Sequence, residues 1–374
     1  MTTPHPRIAI IGAGPAGLTA ARILQRAGLT PTVYERDASA HARDQGGTLD
    51  MQKDTGQAAL AAAGLLEDFL KIARPEGQEM RAADKHATVL MRRVPDEGDM
   101  HSPEIDRGDL RELLLGSLAP GTIRYDSVLD HATPAGGGRH RLHFRDGHTA
   151  EADLLIGADG AWSRVRPLVS PATPFYEGVM FVEIQISDAD SHTGISELVG
   201  PGSMFATSDD KGLFAQRNAR NNIRVYIIFR DDLGWTARRG IDAANPAAVR
   251  TALLDMFHDW APGLRSMLTS CDDSFISRPM YALPIPHAWG TVPGVTLLGD
   301  AAHLMSPISG LGANTAMLDG ADLARAVIDS PDLATAVAGY EATMLPRAAA
   351  NAHDAHAGLH SVISNDAPDF SDIP

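Results

Sequence analysis

The stretch Ile8-Ala9-Ile10-Ile11-Gly12-Ala13-Gly14-Pro15-Ala16-Gly17-Leu18-Thr19-Ala20-Ala21-Arg22-Ile23-Leu24 decides the fold. Arg7 to Ile11 reads as a short buried strand, and Leu18 to Leu24 carries apolar residues at helical spacing. Between them the glycines have separate tasks. Gly12 permits a tight turn, Gly14 lets a pyrophosphate reach the backbone, and Gly17 lets the helix pack closely on the strand. The unpaired N–H groups at the helix start attract that pyrophosphate. A second apolar stretch, Pro31-Thr32-Val33-Tyr34, ends in Glu35, placed to accept hydrogen bonds from an adenosine ribose. With 35 glycines in 374 residues, roughly 0.3 such glycine patterns arise by chance. The flanking strand, helix and acidic residue make it a dinucleotide site, for either FAD or NAD.

Working outward, Arg43-Asp44-Gln45-Gly46-Gly47-Thr48 is a polar glycine-rich loop, and helical pattern resumes near Thr55 to Ala63. Asp106 is placed to cap a helix opening at Arg107. A strand pair follows, with turns at Gly136-Gly137-Gly138 and Arg145-Asp146-Gly147-His148. A buried strand runs into Asp159-Gly160, and Ser163 to Arg166 reads as a helix start. From Phe175 to Tyr281 alternating segments such as Val179 to Ile186 and Ile223 to Phe229 predict an antiparallel sheet, interrupted by a helix over Pro246 to His258. Val295 to Asp300 returns to the first unit. Helices are expected over Gly310 to Asp329 and Leu333 to His360, with a frayed tail.

The expected fold class is α/β with an α+β second domain. A Rossmann-like dinucleotide-binding domain (1–174 and 282–330) is interleaved with an antiparallel-sheet substrate domain (175–281), followed by a C-terminal helix and tail (331–374). A chain of 374 residues is long enough for two packed domains. Its net charge of −15 argues against nucleic acid and against anionic membranes. One cysteine, Cys271, rules out an internal disulfide and a multi-cysteine metal site; it reads as a buried structural thiol. No signal-peptide core or membrane span is visible, so a cytoplasmic protein is expected. No heptad seam stands out, so a monomer is expected.

Three ordered motifs, Gly12 to Gly17, Asp159-Gly160 and Gly299-Asp300-Ala301-Ala302-His303-Leu304-Met305-Ser306-Pro307, cover nearly the whole chain. With them it resembles the single-component, aromatic-hydroxylase-like FAD monooxygenases. Val33 to Asp37, Gly46-Gly47-Thr48-Leu49-Asp50, the late Gly-Asp stretch and the tail Pro368-Asp369-Phe370 resemble the tetracycline-inactivating branch, the tetracycline destructases. The resemblance implies FAD as the redox centre and NAD(P)H as a transient co-substrate. Oxygen would add at flavin C4a, and the resulting hydroperoxide would hydroxylate an electron-rich phenol or enol.

The same resemblance assigns roles. Gly12, Gly14, Pro15, Ala16 and Gly17 cradle the pyrophosphate, and Glu35 and Arg36 hold the adenosine end. Arg107 reaches the FAD ribose or pyrophosphate side, and Arg43, Gln45, Gly46 and Gly47 border the isoalloxazine ring. Asp159 helps close the site, Gly299 gives room for the backbone, and Asp300 holds a ribityl hydroxyl. Pro307, Gly310, Leu311, Gly312, Ala313 and Asn314 approach the pyrimidine edge of the flavin, where backbone N–H groups stabilise the reduced anion. His303 is the tempting base, although such a residue more often packs and bonds locally. No further residue is assigned to proton transfer.

The substrate would meet Gln185, Ser203, Phe214, Gln216, Arg224 and Tyr226, together with Pro307 and Gly310. Gln185 and Phe214 match the tetracycline branch, whereas Ser203 stands near its arginine, Arg224 near its histidine and Tyr226 near its glycine. The substrate is then a tetracycline, another fused-ring polyketide or a smaller phenol. Two other readings share the motifs: a flavin dehydrogenase or reductase, and a flavoprotein that binds a ligand for sensing or sequestration without turnover.

Overall fold

The computed structural model describes residues 5–363, so the Pro368-Asp369-Phe370 motif and the expected fraying lie outside the described residues. Ile8–Ile11 is the middle strand of a five-stranded parallel sheet. Across it the order is Val295–Leu297, Leu154–Gly157, Ile8–Ile11, Thr32–Tyr34 and Ile123–Arg124. All four residues of the central strand are buried, as a strand covered on both faces requires. Burying a side chain such as Ile10 fully contributes about 1.5–3 kcal/mol.

Helix Pro15–Arg26 lies on this sheet and crosses Leu311–Asp329 closely. A Cβ at Gly320 would stand 2.5 Å from the Ala16 carbonyl oxygen, so the contact depends on small residues. Ser163 to Arg166 forms no long helix, only a bend leading into one short turn, Arg166–Leu168. Pro167 has no N–H to donate to the Ser163 carbonyl, so a helix beginning at Ser163 cannot close its first bond.

The second sheet has seven strands: Ile276–Ala282, Phe175–Ile186, Asn222–Arg230, Lys211–Asn218, Ser203–Ser208, Met80–Ala83 and Val89–Arg93. The last two come from within the segment expected to belong wholly to the FAD-binding domain. Met80–Ala83 pairs in parallel with Ser203–Ala206, a contact between segments over a hundred residues apart that no local pattern announces. The boundary expected at residue 175 is therefore crossed by this sheet.

One face of the second sheet packs under helices Thr193–Val199, Pro246–Met256 and Pro262–Thr269, burying Met180, Val182, Ile184, Val225, Ile227, Leu253 and Leu264. Cys271 is buried there, its Sγ directed at the Leu268 carbonyl, and burial pushes its thiol pKa up. The other face turns toward the first unit. Helix Leu333–Val362 spans both units. Its first half buries Val337, Tyr340 and Met344 in the core of the parallel sheet. Its end places Leu359, with Ile363 just beyond, against Val179, Phe181 and Ile228 of the second sheet. The C-terminal helix is thus shared between the two cores rather than separate from them. Among the described residues no helix is long and apolar enough to cross a membrane.

Candidate functional site

The glycines divide their work as their geometry dictates. Gly12 has φ +106°, and a Cβ there would stand 2.3 Å from the Ala158 carbonyl oxygen. A Cβ on Gly17 would stand 2.3 Å from the Gly12 carbonyl oxygen. Both are closed by backbone. Gly14, the N-cap of helix Pro15–Arg26, has nothing within 4 Å of its Cβ position. No side chain caps that helix end, which leaves its first N–H groups facing open space. A pyrophosphate fits there.

Glu35 is buried at the end of the second strand, accepting from Ala13 N at 2.7 Å and from Asp37 N at 2.9 Å. Its carboxylate holds the glycine loop in place and keeps further lone pairs unused. Arg36 is exposed beside it. Arg43 is exposed and bonds Asp37 through Nε at 2.9 Å, which ties its side chain to the Glu35 end of the cradle.

Arg107 is exposed, and its guanidinium has no hydrogen-bond or ion-pair partner among the described residues. One helical turn on, Arg111 is buried, with Nε 3.4 Å from the Ala13 carbonyl and Nη1 on the Ala40 carbonyl. Arg111 went unassigned in the sequence, although its i, i+4 spacing from Arg107 was the available signal. Asp106 occupies the N-cap position of helix Arg107–Gly116 but makes no side-chain cap. Its carboxylate is instead held by Arg74 at 2.8 Å and by Ala219 N at 3.1 Å.

The two aspartate-glycine turns meet through a residue that sequence reasoning left unassigned. Arg166 is buried, with Nε 2.8 Å from the Ala301 carbonyl and Nη2 2.8 Å from Ala161 and 3.1 Å from Asp300 carbonyls. It clamps the Asp159-Gly160 turn to the Gly299-Asp300 turn. Asp159 accepts from Arg164 N at 2.6 Å, its other oxygen is buried without a partner among the described residues, and burial raises its pKa. Gly299 has φ +55°, with its Cβ position 2.8 Å from Ala316 Cβ. Asp300 is exposed, and its carboxylate accepts no hydrogen bond among the described residues. His303 is buried with Nε2 2.5 Å from Asp319 Oδ2. Burial lowers its pKa, but Asp319 more than offsets this and the net shift is upward. Asp319 also accepts from Gly299 N and Arg347. His303 is thus part of a packed polar knot.

Gly310, at φ +67°, precedes helix Leu311–Asp329 and has its Cβ position 3.1 Å from Asp50 Oδ1. Pro307 is exposed in the turn before it. Leu311, Gly312 and Ala313 form the first turn, and a Cβ on Gly312 would meet nothing within 4 Å. The Asn314 side chain is fully buried and structural: Nδ2 donates to the Asp50 carbonyl at 2.7 Å, and Oδ1 accepts from Gln52 N and Gly56 N. Beneath lie two carboxyls on paired strands, half-buried Asp50 opposite buried Glu104. Burial pushes Asp50 up to about 6 and Glu104 up to about 8.

All six substrate candidates face the first unit, because alternate residues of each strand are buried under the helices. Register places Ser203 opposite Gln216, Gln216 opposite Arg224, and Arg224 opposite Gln185, one row across four strands. The next row holds Phe205, Phe214, Tyr226 and Glu183. The Gly46-Gly47 loop reaches this wall. A Cβ on Gly47 would stand 2.8 Å from the Tyr226 hydroxyl, 3.4 Å from Gln216 Oε1 and 3.5 Å from Arg224 Cδ. Arg224 is buried between Glu183 and Asp44, Arg278 also bonds Glu183, and Arg224 Nε is a buried donor without a partner among the described residues.

Residues 6–349 match the FAD binding domain family. The chain is 31% identical to Monooxygenase penA of Penicillium thymicola over 404 residues, covering 92% of this chain and 93% of that one. Its fold resembles Klebsiella pneumoniae HpxO complexed with FAD and uric acid (TM-score 0.82, 20% identity, covering 96% and 90%). It also resembles tetracycline destructase Tet(51) (TM-score 0.72, 20% identity, covering 97% and 93%). A family match of that extent, joined to a full-length likeness to a named monooxygenase, shows that the chain belongs to the FAD binding domain family and is an FAD-dependent monooxygenase.

Proposed function

We propose that the substrate is a fused-ring phenol or enol, a tetracycline or another polyketide of that shape, hydroxylated at the expense of NAD(P)H. The observation that carries this reading is the wall facing Gly47. The rings of Phe205 and Phe214 stack at 4.1 Å, and those of Phe214 and Tyr226 lie 6.0 Å apart and 23° from parallel. These three residues sit on adjacent strands, giving an apolar row about 10 Å wide in which Phe205 and Phe214 lie face to face and present their ring edges. A planar polycycle matches that width better than a single ring does.

Bound FAD supplies the electrons and the activated oxygen; the chain supplies position and electrostatics. Gly14, the first turn of Pro15–Arg26, Glu35, Arg107 and Asp300 would hold it. The N–H groups of Leu311 to Ala313 would face the flavin's pyrimidine edge, each such preorganised donor contributing about 3 kcal/mol. The Arg224 guanidinium, its orientation fixed by Glu183 and Asp44, would place positive charge beside an enolate or phenolate oxygen. Burial pushes the Tyr226 phenol pKa up, so it stays protonated and donates to the same edge. The end of helix Leu333–Val362 covers the wall and keeps water away.

The test is NAD(P)H oxidation by purified holoenzyme with and without a tetracycline, a hydroxylated anthraquinone and a single-ring phenol, with product masses recorded. Faster oxidation with a fused-ring compound and one added oxygen atom supports the reading. Stimulation by the single-ring phenol alone would overturn the polycyclic assignment.

A further inference from the structure

We propose that Glu177, His356 and His360 form a transition-metal site, suited to zinc, that fastens the end of the C-terminal helix to the substrate sheet. His356 and His360 are four residues apart on helix Leu333–Val362 and so project from one face. Glu177 reaches them from strand Phe175–Ile186. Each of the three offers one ligand atom, and these atoms lie within 4.8 Å of one another. Two imidazoles and a carboxylate are a zinc donor set that leaves a fourth position for water.

The carboxylate is the decisive member. The Glu177 side chain is fully buried; Oε1 is 2.8 Å from His356 Nδ1, and Oε2 is buried with no partner among the described residues. An ion pair with His356 alone leaves that second oxygen desolvated and unpaired, which is costly. A cation beside it removes that cost. The two imidazoles are already close, with ring centroids 4.4 Å apart. Tetrahedral zinc needs its ligand atoms about 3.3 Å apart. The cluster must therefore contract by about 1.5 Å at its widest, within reach of side-chain rotation because the His356 side chain is 44% exposed.

Zinc binds neutral imidazole. Arg230 is the competing cation: its Nη2 is 3.1 Å from His360 Nδ1 and donates to the Ile363 carbonyl at 2.8 Å, and its Nε is 3.6 Å from Asp210. It keeps the last two partners if a metal takes the imidazole. Between the two histidines, Leu359 packs on Val179, Phe181 and Ile228, beside Phe214 and Tyr226. The Cβ position of Gly358 is 3.7 Å from Ile308 Cγ2, in the turn before Gly310. Metal at this point would therefore hold the helix end over the aromatic wall, whichever substrate the wall receives.

The experiment uses holoenzyme treated with chelator and dialysed. Zinc chloride is titrated in by calorimetry, bound zinc is measured by mass spectrometry, and melting is followed with and without zinc. One zinc per chain is expected, with a higher Tm. Single His356→Gln and His360→Gln variants should weaken binding at least tenfold, and the double variant should lose both the stoichiometric zinc and the Tm shift. Retained FAD absorbance shows that these variants, changed on a helix face, are folded. Wild-type protein without stoichiometric zinc, or a double variant binding as wild type does, would overturn the proposal.

Discussion

Alanine at Gly12, Gly14 and Gly17 in turn separates backbone packing from cofactor binding. At Gly12 a Cβ meets the Ala158 carbonyl at 2.3 Å from a φ of +106°. The positive φ costs about 1–3 kcal/mol and the overlap about 1–3 kcal/mol more, so Gly12→Ala should lose about 2–6 kcal/mol. At Gly17 the overlap is with the Gly12 carbonyl at 2.3 Å. The cost is about 1–3 kcal/mol, offset by about 1 kcal/mol of helix propensity. At Gly14 the backbone is extended, φ −81°, and nothing lies within 4 Å. Losing glycine at an N-cap costs at most about 1 kcal/mol, countered by about 0.4–1 kcal/mol from a stiffer unfolded chain. Apoprotein melting should thus fall steeply for Gly12→Ala, at about 2 °C per kcal/mol, modestly for Gly17→Ala, and hardly for Gly14→Ala. Flavin content after purification, read from the visible absorbance, should nevertheless collapse in Gly14→Ala, because the added methyl occupies the pyrophosphate's space. A Gly14→Ala protein that keeps a full complement of FAD would falsify the placement of the cofactor.

Three further outcomes follow from the site. Asp300→Ala should melt like the parent as apoprotein and bind FAD about 10–100-fold more weakly, as for loss of a charge-assisted hydrogen bond of about 1.5–3 kcal/mol; unchanged flavin affinity by fluorescence titration refutes the ribityl contact. Glu104 has a folded pKa near 8, raised by burial from 4.5. Its contribution is therefore complete below pH 4.5 and disappears as pH rises through 8, and Glu104→Gln should gain up to about 5 kcal/mol over the parent at pH 9 with little gain at pH 4; parallel stability curves across that range contradict this. Arg224→Met leaves the buried Glu183 with Arg278 alone and should cost about 1–3 kcal/mol of stability. It should also raise KM for a fused-ring substrate tenfold or more with FAD content unchanged, and an unaltered KM removes Arg224 from the substrate edge.

The nucleotide half of the molecule was legible because its signals are local. Strand, glycine turn and helix adjoin within Ile8 to Leu24, and Asp159-Gly160 and Gly299-Asp300 each end a buried strand of the same parallel sheet. The family resemblance, and not alternation, singled out Gln185, Ser203, Phe214, Gln216, Arg224 and Tyr226; it is the strand register that brings them to one face. Side chains that bond across the chain were harder to read. Asp106 looked like a helix cap and is held by Arg74 and Ala219 N, because a charged guanidinium competes successfully for the same carboxylate. Asn314 looked like a flavin neighbour, and its amide is consumed by Asp50, Gln52 and Gly56.

The sequence by itself determined the dinucleotide-binding turn, which follows from residues adjoining along the chain, while its resemblance to a known family supplied FAD and the order of the two units. Tertiary structure alone decided that Met80–Ala83 and Val89–Arg93 join the second sheet, that Arg166 clamps the two aspartate turns, and that Glu177 meets His356 and His360. Each of these joins segments more than a hundred residues apart. Such contacts are chosen by burial, register and charge in the assembled chain, and no local period or composition encodes them.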